Sequence, residues 1–444
     1  MNSFPAILIF CVLSLKVVTV MAFAPLACSG PGIAHQPFFQ KDTSQPLTAF
    51  TRTDRYFEDL LKQGPPELKP FLDAADSLGI QIIYTRIDRK ADNSPDFTRY
   101  HYRVNPEKYF YPASTVKMPV ALLALQKLNE LKVFGLNENS AMITEAAHSG
   151  QTPVYNDPAF EDGRPTIAGY IKKIFLVSDN DSFNRLYEFL GQQYINERLH
   201  SMGYGSADIL HRLYIPLSEE ENRNTNPVSF FSNTGKSLYT QPLTVSHLKY
   251  PLRNDSAGHG YLDSGKLIQT PLNFSRKNRL PLEDLTSILQ SILFPQSMPA
   301  SKRFNLRPDQ YPFLWKYMSQ YPTETGFPLL DSSIMHDGYV KFLLYGADRN
   351  PLSKTLRLFN KPGDAYGFLT DIAYIADLEN NVEFMLSATL YCNRDGILND
   401  DRYDYETIGF PFMKLLGNYI YEVEKKRIRS RAPNLSQFRI VYDK

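Results

Sequence analysis

The sequence predicts an α/β (α+β) fold, with an antiparallel sheet flanked by helices and a helical lobe beside it. Three observations lead to this prediction. A hairpin pattern lies near residue 90, the long middle of the chain has helical periodicity, and two strands and a helix follow near the end. Strands from both ends of the chain can therefore share one sheet, with the middle as a lobe.

The first predicted elements are a short helix over residues 56–61 and a β-hairpin. Residues 81–87 and 97–104 are rich in β-branched and aromatic side chains, which favour strands. Residues 92–96, with the sequence DNSPD, lie between them and have the composition of a turn.

The middle of the chain reads as helices. A helix that starts near Ser114 and runs to about Lys132 is apolar on most sides, which indicates that it is buried. A second helix opens at Pro165-Thr166 and ends at Val177, because isoleucine and phenylalanine recur at helical spacing. A third helix covers residues 181–190 and stops at Gly191.

The last third of the chain predicts two strands, over residues 366–376 and 382–391, followed by an amphipathic helix. The apolar face predicted for this helix consists of Ile408, Phe412, Leu415, Tyr419 and Val423. Residues 228–280 are polar and weakly periodic, so an insertion or extended flap is expected there.

Composition excludes some functions. The chain has 444 residues with 43% hydrophobic and 21% charged residues, which is ordinary for a globular protein. Its formal net charge of +1 gives no reason to expect nucleic-acid binding. No histidine has the spacing of a metal motif, so neither a metal nor a cofactor is expected. A monomer is expected.

The N-terminus predicts export. Residues 1–27 form an apolar leader interrupted by Lys16, too short on either side to span a bilayer. The leader ends in LACSG, which resembles a lipoprotein processing site with lipidation of Cys28, although Pro25 departs from the usual aliphatic residue. The alternative is a plain secreted protein. We expect a periplasmic or membrane-anchored protein whose only membrane contact is this lipid.

The remaining chain divides into a tether over residues 28–52 and one domain over residues 53–444. Cys11 and Cys28 lie in and at the end of the leader, which leaves Cys392 as the only other cysteine. No disulfide within the mature chain is therefore possible.

Three short motifs suggest chemistry. Ser114 and Lys117 are three residues apart at the start of a helix, so both side chains face one way. An amine with a lowered pKa can take the proton of a serine hydroxyl, and the helix N-terminus favours developing negative charge. On its own this pair is more often a helix cap with an exposed lysine.

The second and third motifs favour a catalytic role for Ser114 and Lys117 over a helix cap. Ser178-Asp179-Asn180 lies at a turn between two predicted helices. Lys361-Pro362-Gly363 is followed by Asp364 and lies at the start of a strand, where it can line the edge of a cleft. Taken separately, the first is also consistent with a capping turn and the second with a Pro-Gly turn.

In this order the motifs resemble those of the penicillin-recognising serine hydrolases, which include the DD-peptidases and above all the class A β-lactamases. Those proteins carry S-x-x-K, S-D-N and K-T-G. The resemblance covers roughly residues 55–225 and 282–430. It implies a β-lactamase-like serine hydrolase, acylated by a β-lactam or a peptidoglycan-like amide and released by water.

The resemblance also implies roles for individual residues. Ser114 would be acylated, and Lys117 would help to remove its proton. Ser178 would relay a proton to the departing nitrogen. Asn180 would hold Lys117 and a substrate amide, and Lys361 would attract the substrate carboxylate and tune Ser178.

On the substrate-binding side, Asp179 would brace its turn, and Gly363 would line the edge of the cleft. The backbone N–H groups of Ser114 and Asp364 would form an oxyanion hole.

Two departures from the family pattern bear on function. Pro362 stands where the family has threonine or serine, so a hydroxyl and an N–H are lost. Ungapped counting puts Leu217 where class A enzymes have the glutamate that activates the deacylating water. A shift of two to four residues would supply Glu219, Glu220 or Glu221 instead, but the sequence slightly favours a solvated acidic run.

These departures leave two functions open. One is an exported serine hydrolase that is acylated at Ser114 and deacylated by water. The other is a surface-tethered penicillin-binding or sensor protein of the same fold that turns over slowly or not at all.

Overall fold

The protein is described by a computed structural model that covers residues 51–326, 330 and 334–443. The leader, the lipidation residue Cys28 and most of the predicted tether lie outside these residues. The helices are α1 (Arg55–Lys62), α2 (Lys69–Asp73), α3 (Lys117–Leu131), α4 (Ile167–Val177), α5 (Asn180–Leu190), α6 (Gln192–Ser201), α7 (Glu219–Arg223), α8 (Leu282–Leu293), α9 (Gln310–Ser319) and α10 (Phe410–Lys426).

Strands occur at both ends of the chain and in its middle. They are β1 (Gln81–Arg89), β2 (Pro95–Tyr102), β3 (Ala141–Thr144), β4 (Asn224–Thr225), β5 (Val228–Phe231), β6 (Ser237–Gln241), β7 (Thr244–Val245), β8 (Ser256–Ala257), β9 (Gly260–Asp263), β10 (Lys266–Ile268), β11 (Leu272–Asn273), β12 (Leu356–Asn360), β13 (Gly363–Ala365), β14 (Phe368–Asp377), β15 (Val382–Tyr391) and β16 (Ile397–Leu398).

The main sheet has six antiparallel strands, in the order β12-β14-β15-β1-β2, and β13 also pairs with β14. The N-terminal hairpin thus pairs with the C-terminal strands through β1 and β15. The fold class predicted from the sequence is confirmed by this arrangement.

Each face of the sheet has its own hydrophobic core. In β15, the alternate residues Val382, Phe384, Leu386, Ala388 and Leu390 join the core that contains the C-terminal helix. The other face packs on the helical lobe, whose core includes most of α3 and the apolar residues of α4, α5 and α8. The strand period of two therefore divides each strand between two cores.

Most predicted helices are present near their predicted ends. Thr166 caps α4, because its side chain accepts a hydrogen bond from Gly169 N at 3.0 Å. The predicted helix after Ser114 begins instead with a 3₁₀ turn over Ala113–Val116, and the α-helix starts at Lys117.

The predicted apolar face of the C-terminal helix is wrong. Along much of the helix, the buried residues lie one position after the predicted ones. The buried residues are Phe412, Met413, Leu416, Gly417, Ile420 and Glu424, whereas Leu415, Tyr419 and Val423 are only partly buried. Glu424 accepts hydrogen bonds from the Tyr84 hydroxyl and from Arg427 and Arg429. A buried, ion-paired glutamate carries no hydropathy signal, so the pattern could not reveal this face.

The segment 228–280 contains short strands rather than loops alone. β5 and β6 form a three-stranded sheet with β3, and β9 pairs with β10 and, in parallel, with β16 near residue 397. Phe274 and Leu280 are buried in the lobe core. These strands are two to five residues long and several pair with distant segments, so local periodicity does not predict them.

Among residues 51–326, 330 and 334–443, no helix has the length and apolar character needed to cross a membrane. No cluster of three or more histidine, cysteine, aspartate or glutamate side chains suited to a metal ion occurs there.

Candidate active site

Ser114 lies at the surface end of an otherwise buried segment. From Phe110 to Gln126 it is the only residue that is not buried. The preceding residue, Ala113, has a φ of 46°, which is unfavourable for a residue with a side chain. Such backbone strain is typical of functional sites, and here it positions a hydroxyl at the N-terminus of the 3₁₀ turn.

Lys117 points into the lobe rather than to solvent. It is fully buried, and its Nζ donates to Asn180 Oδ1 at 2.7 Å and to the Ser178 carbonyl oxygen. Ser178 Oγ is 3.2 Å from the same nitrogen. The lysine is therefore held by the turn between α4 and α5 and is not the exposed lysine of a simple helix cap.

Ser178 joins the two lysines of the site. Lys361 Nζ donates to Ser178 Oγ at 2.9 Å and to the Pro362 carbonyl oxygen at 2.8 Å. Ser178 itself has a φ of 57° and caps the C-terminus of α4. A single hydroxyl thus connects a helix residue, a turn and the edge of the sheet.

Asp179 and Asn180, which follow Ser178 in the turn, have different roles. Asp179 Oδ1 accepts a hydrogen bond from Ser182 N at 2.7 Å, and its carboxylate is 3.7 Å from Lys173 Nζ. It caps α5 and is not among the described residues that line the cleft. Asp179 therefore braces the turn and does not face a bound substrate, whereas Asn180 lines the cleft.

The edge strand explains why proline is tolerated at position 362. β12 and β13 keep one register against β14, with Asn360 opposite Ala373 and Gly363 opposite Thr370. The N–H of Lys361 donates to Ile372 O at 3.2 Å. Because hydrogen-bonded pairs alternate along an antiparallel ladder, the nitrogen of residue 362 faces away from β14. Pro362 therefore removes no ladder bond.

The same alternation directs the N–H of Asp364 toward the cleft. Tyr366 and Gly367, with φ of 53° and 78°, form a two-residue hairpin turn between Ala365 and Phe368. Ala365 and Phe368 form a hydrogen-bonded pair. The next pair along the ladder is therefore not hydrogen-bonded, and the N–H of Asp364 points away from β14.

Gly363 is a spacing residue that does not line the cleft. A Cβ atom at this position would lie 2.6 Å from Ser114 N and 2.9 Å from Thr115 N and Pro112 O. Only glycine lets the edge strand approach the Ser114 turn this closely. The approach brings the N–H of Asp364 beside that of Ser114, the arrangement an oxyanion hole requires.

Two cavities meet at Ser114. The loop-side cavity, about 680 Å³, is lined on one side by residues 211–216, and the strand-side cavity, about 670 Å³, by residues between 334 and 349. Both are lined by Ser114, Asn180, Tyr214 and Asp364. The cleft is thus open on both sides of the candidate nucleophile.

Burial changes the acidity of the site. Desolvation, reinforced by the charge of Lys361, holds the pKa of Lys117 well below its usual range. Desolvation likewise lowers the pKa of Lys361 to about 7, although Asp371 and Asp364 oppose the shift. Lys117 can thus be a neutral amine at neutral pH, the form that accepts a proton.

The site therefore contains a partly exposed serine, a buried lysine with a lowered pKa, and two N–H groups directed into one cleft. Residues 93–247 match the model of the beta-lactamase enzyme family. This segment contains Ser114 and Ser178, and Lys361 lies outside it. The resemblance to the β-lactamases inferred from the motifs is confirmed for this segment.

Solved structures of β-lactamases are also similar to the chain. A class A β-lactamase from Clostridium kluyveri DSM 555 is 14% identical over 80% of this chain and 98% of its own, with a TM-score of 0.43. A β-lactamase from Xanthomonas campestris pv. campestris is 13% identical over 79% and 96%, with a TM-score of 0.42.

A mutant of PBP-A, solved as an acyl-enzyme complex with penicillin G, is 13% identical over 83% of this chain and 97% of its own, with a TM-score of 0.44. No curated protein matches the chain.

One wall of the cleft is formed by residues 211–216, which α5 holds in place. Asn184 Nδ2 donates to Leu213 O at 3.0 Å, and its Oδ1 accepts from Leu213 N at 2.8 Å. Glu188 accepts from Arg212 Nε at 3.0 Å. Asn184 and Glu188 follow Asn180 at four-residue spacing, so one face of α5 supports both Lys117 and this wall.

The glutamates proposed for deacylation do not line the cleft. Glu219 pairs with Arg223 at 3.0 Å, and Glu221 accepts hydrogen bonds from Ser218 in a capping box. Glu220 is 3.9 Å from His148. The acidic run is the start of α7, and Leu217 packs by Gly150 rather than facing Ser114. The expectation of a deacylation base among these residues is corrected.

The wall instead presents His211, Leu213 and Ile215 to the cleft, together with Arg212, which pairs with Glu188. Desolvation lowers the pKa of His211 to about 4, so its ring is uncharged at neutral pH. No aspartate or glutamate of residues 211–223 lines either cavity in the described part of the chain.

Several supporting residues were missed by sequence reasoning. Lys341 Nζ donates to Asn360 Oδ1 at 2.7 Å, and Asn360 Nδ2 donates to Asp371 at 2.9 Å. This buried network holds the edge strand next to Lys361. The sequence offered one usable signal for such supporting residues, which was the run of polar residues on the buried helix α5. An isolated polar residue such as Lys341 looks like a surface residue in the sequence.

Gly363→Ala should abolish most acylation of Ser114. The added Cβ meets backbone atoms that cannot move aside, so the strand must shift and the free energy of unfolding should fall by about 1–3 kcal/mol. We expect the acylation rate constant for a fluorescent penicillin to drop at least about tenfold.

Gly205→Ala is the matched control, because a Cβ there meets no atom within 4 Å and its φ is not in the left-handed region. It should keep the acylation rate. An unchanged rate in Gly363→Ala would contradict the close approach.

Proposed function

We propose that the protein is a serine hydrolase that is acylated at Ser114 by a β-lactam or a peptidoglycan-like amide. The observation that carries this proposal is the position of Lys117, buried with a lowered pKa one helical turn from a partly exposed serine. A hydrophobically buried amine is a base matched to a serine hydroxyl.

The acylation step uses the groups already described. Ser114 Oγ attacks the amide carbon while its proton passes to Lys117 Nζ. The developing oxyanion accepts hydrogen bonds from the N–H groups of Ser114 and Asp364. The carbon–nitrogen bond then breaks, and the nitrogen takes a proton through Ser178 Oγ, which is 3.2 Å from Lys117 Nζ and 2.9 Å from Lys361 Nζ.

Release of the acyl group is the step for which the cleft wall offers no carboxylate base. Hydrolysis of the ester needs a base that removes a proton from water, and the wall over residues 211–216 contributes no carboxylate. The alternative function is therefore a protein that is acylated and released slowly, as a penicillin-binding protein or sensor. This observation favours slow release over efficient hydrolysis.

We also propose that the chain is exported and held at a membrane by lipid on Cys28, which supports a role in the periplasm or at the cell surface. Mass analysis of the mature N-terminus should give a terminal cysteine with its acyl groups. A mature chain that begins elsewhere without lipid would contradict the proposal.

Labelling with a fluorescent penicillin tests the function. The wild-type protein should acquire one covalent acyl group on Ser114, and Ser114→Ala should acquire none. Lys117→Met should lower the acylation rate by about 10²–10⁴, because general-base catalysis contributes that much. Intact-protein mass spectrometry and peptide mapping measure both results. Ser114→Ala labelled at the wild-type rate would refute the assignment.

The fate of the label separates the two functions. With a chromogenic cephalosporin, slow release predicts a burst of one product per protein followed by a slow steady state. Linear turnover without a burst would instead identify an efficient hydrolase.

Acylation should depend on pH in a bell shape. The base form of Lys117 is lost as pH falls through its lowered pKa, which gives the acid limb. The ammonium of Lys361 donates to Ser178 and is lost as pH rises through a pKa of about 7, which gives the alkaline limb. Because the lysines interact, the two apparent pKa values belong to the pair.

Lys361→Arg should move the alkaline limb to higher pH, since a guanidinium stays charged. Acylation rate constants measured from pH 5 to 9 in both proteins test this. A limb that does not move would show that another group controls it.

A further inference from the structure

Asp364 places a carboxyl group inside the cleft. Its backbone N–H belongs to the oxyanion hole, while its side chain is accessible to solvent and lines both cavities beside Ser114. Protein surrounds it on most sides, and desolvation raises its pKa against the opposing charges of Lys361 and Lys117. It is the first residue after the K-x-G motif, where it faces whatever is bound at Ser114.

The strand register puts Asp364 and Pro362 on the same side. Side chains two residues apart in a strand share a face, and both residues line the strand-side cavity. Lys361 and Gly363 point the other way, toward Ser178 and toward the Ser114 turn. A ligand group on this side of the cleft therefore meets a proline ring and a carboxyl group.

The ammonium group of Lys361 does not line this side of the cleft, although its charge opposes the rise in the pKa of Asp364. Lys361 is fully buried, its Nζ donates to Ser178 Oγ and Pro362 O, and it is not among the described residues that line either cavity. A substrate carboxylate near residue 362 would thus lose the hydroxyl that threonine or serine supplies and would lie beside an acidic side chain.

We infer that Asp364 makes the cleft select amides that carry a neutral or cationic group, rather than a carboxylate, next to the scissile bond. This inference rests on the proposed function, because it concerns the substrate class of that same site. A repulsive group set against one class of ligand is a common source of specificity. It favours internal or amidated peptide bonds over a peptide with a free C-terminal carboxylate.

Three probes with one acyl group test the inference: benzylpenicillin, its neutral methyl ester and its cationic diethylaminoethyl ester. Acylation rate constants at Ser114 are measured by intact-protein mass spectrometry. In the wild-type protein we expect both esters to react at least about tenfold faster than the anion, because two like charges close together inside a protein repel each other by at least that factor.

Asp364→Asn keeps the size of the side chain and the backbone N–H but removes the charge. The ratio of ester to acid rate constants should then fall to within about threefold. The ratio is the readout because a general change in the reactivity of Ser114 affects all three probes alike. Asp364→Ser is a second variant if the first folds poorly, and circular dichroism checks folding of both.

Asp401→Asn is the matched control, since this carboxylate lines only the loop-side of the two cavities. Its ratio should stay closer to wild type. Arg349→Gln examines the opposite assignment, because Arg349 lines the strand-side cavity and carries the charge that could hold a carboxylate.

Each result separates the hypotheses. If the anion reacts as fast as the esters in wild type, or if Arg349→Gln rather than Asp364→Asn changes the ratio, the inference on Asp364 is overturned while acylation stands. If no probe labels Ser114 at all, the proposed function itself fails.

Discussion

Two buried lysines that share one serine hydroxyl hold the site together. Lys117 comes from α3 and Lys361 from the edge strand, and Ser178 from the α4–α5 turn lies between them. Burial removes both amines from water, which lowers both pKa values, and the charge of Lys361 adds to the shift of Lys117. The lobe and the sheet meet at Ser178, and burial at this junction favours the neutral form of Lys117.

Helix α5 links the buried Lys117 to the wall of the cleft. Its residues Asn180, Asn184 and Glu188 recur every four positions, so they lie on one face. They reach Lys117, the backbone of Leu213 and the guanidinium of Arg212, respectively. One rigid helix thus fixes both the base and the opposite wall, and this wall lacks a carboxylate where a hydrolytic base would be needed.

The edge strand contributes to the site through its pairing register with β14. Alternation along β12 and β13 decides that Pro362 costs no hydrogen bond, that Gly363 touches the Ser114 turn, and that Asp364 presents both an N–H and a carboxyl group to the cleft. Three adjacent residues have three different effects because successive positions on a strand face opposite ways.

By itself, the sequence determined the hairpin, the buried helix after Ser114, the capped helices around Ser178 and the three motifs, because each depends on local periodicity or turn chemistry. Only the tertiary structure decided which residues meet. The bond between Lys361 and Ser178 spans 183 positions, the face of α10 depends on the buried ion pairs of Glu424, and the acidic run near residue 220 turned out to cap α7. Local sequence patterns do not reveal such contacts, because the contacts arise from packing between segments that are far apart in the chain.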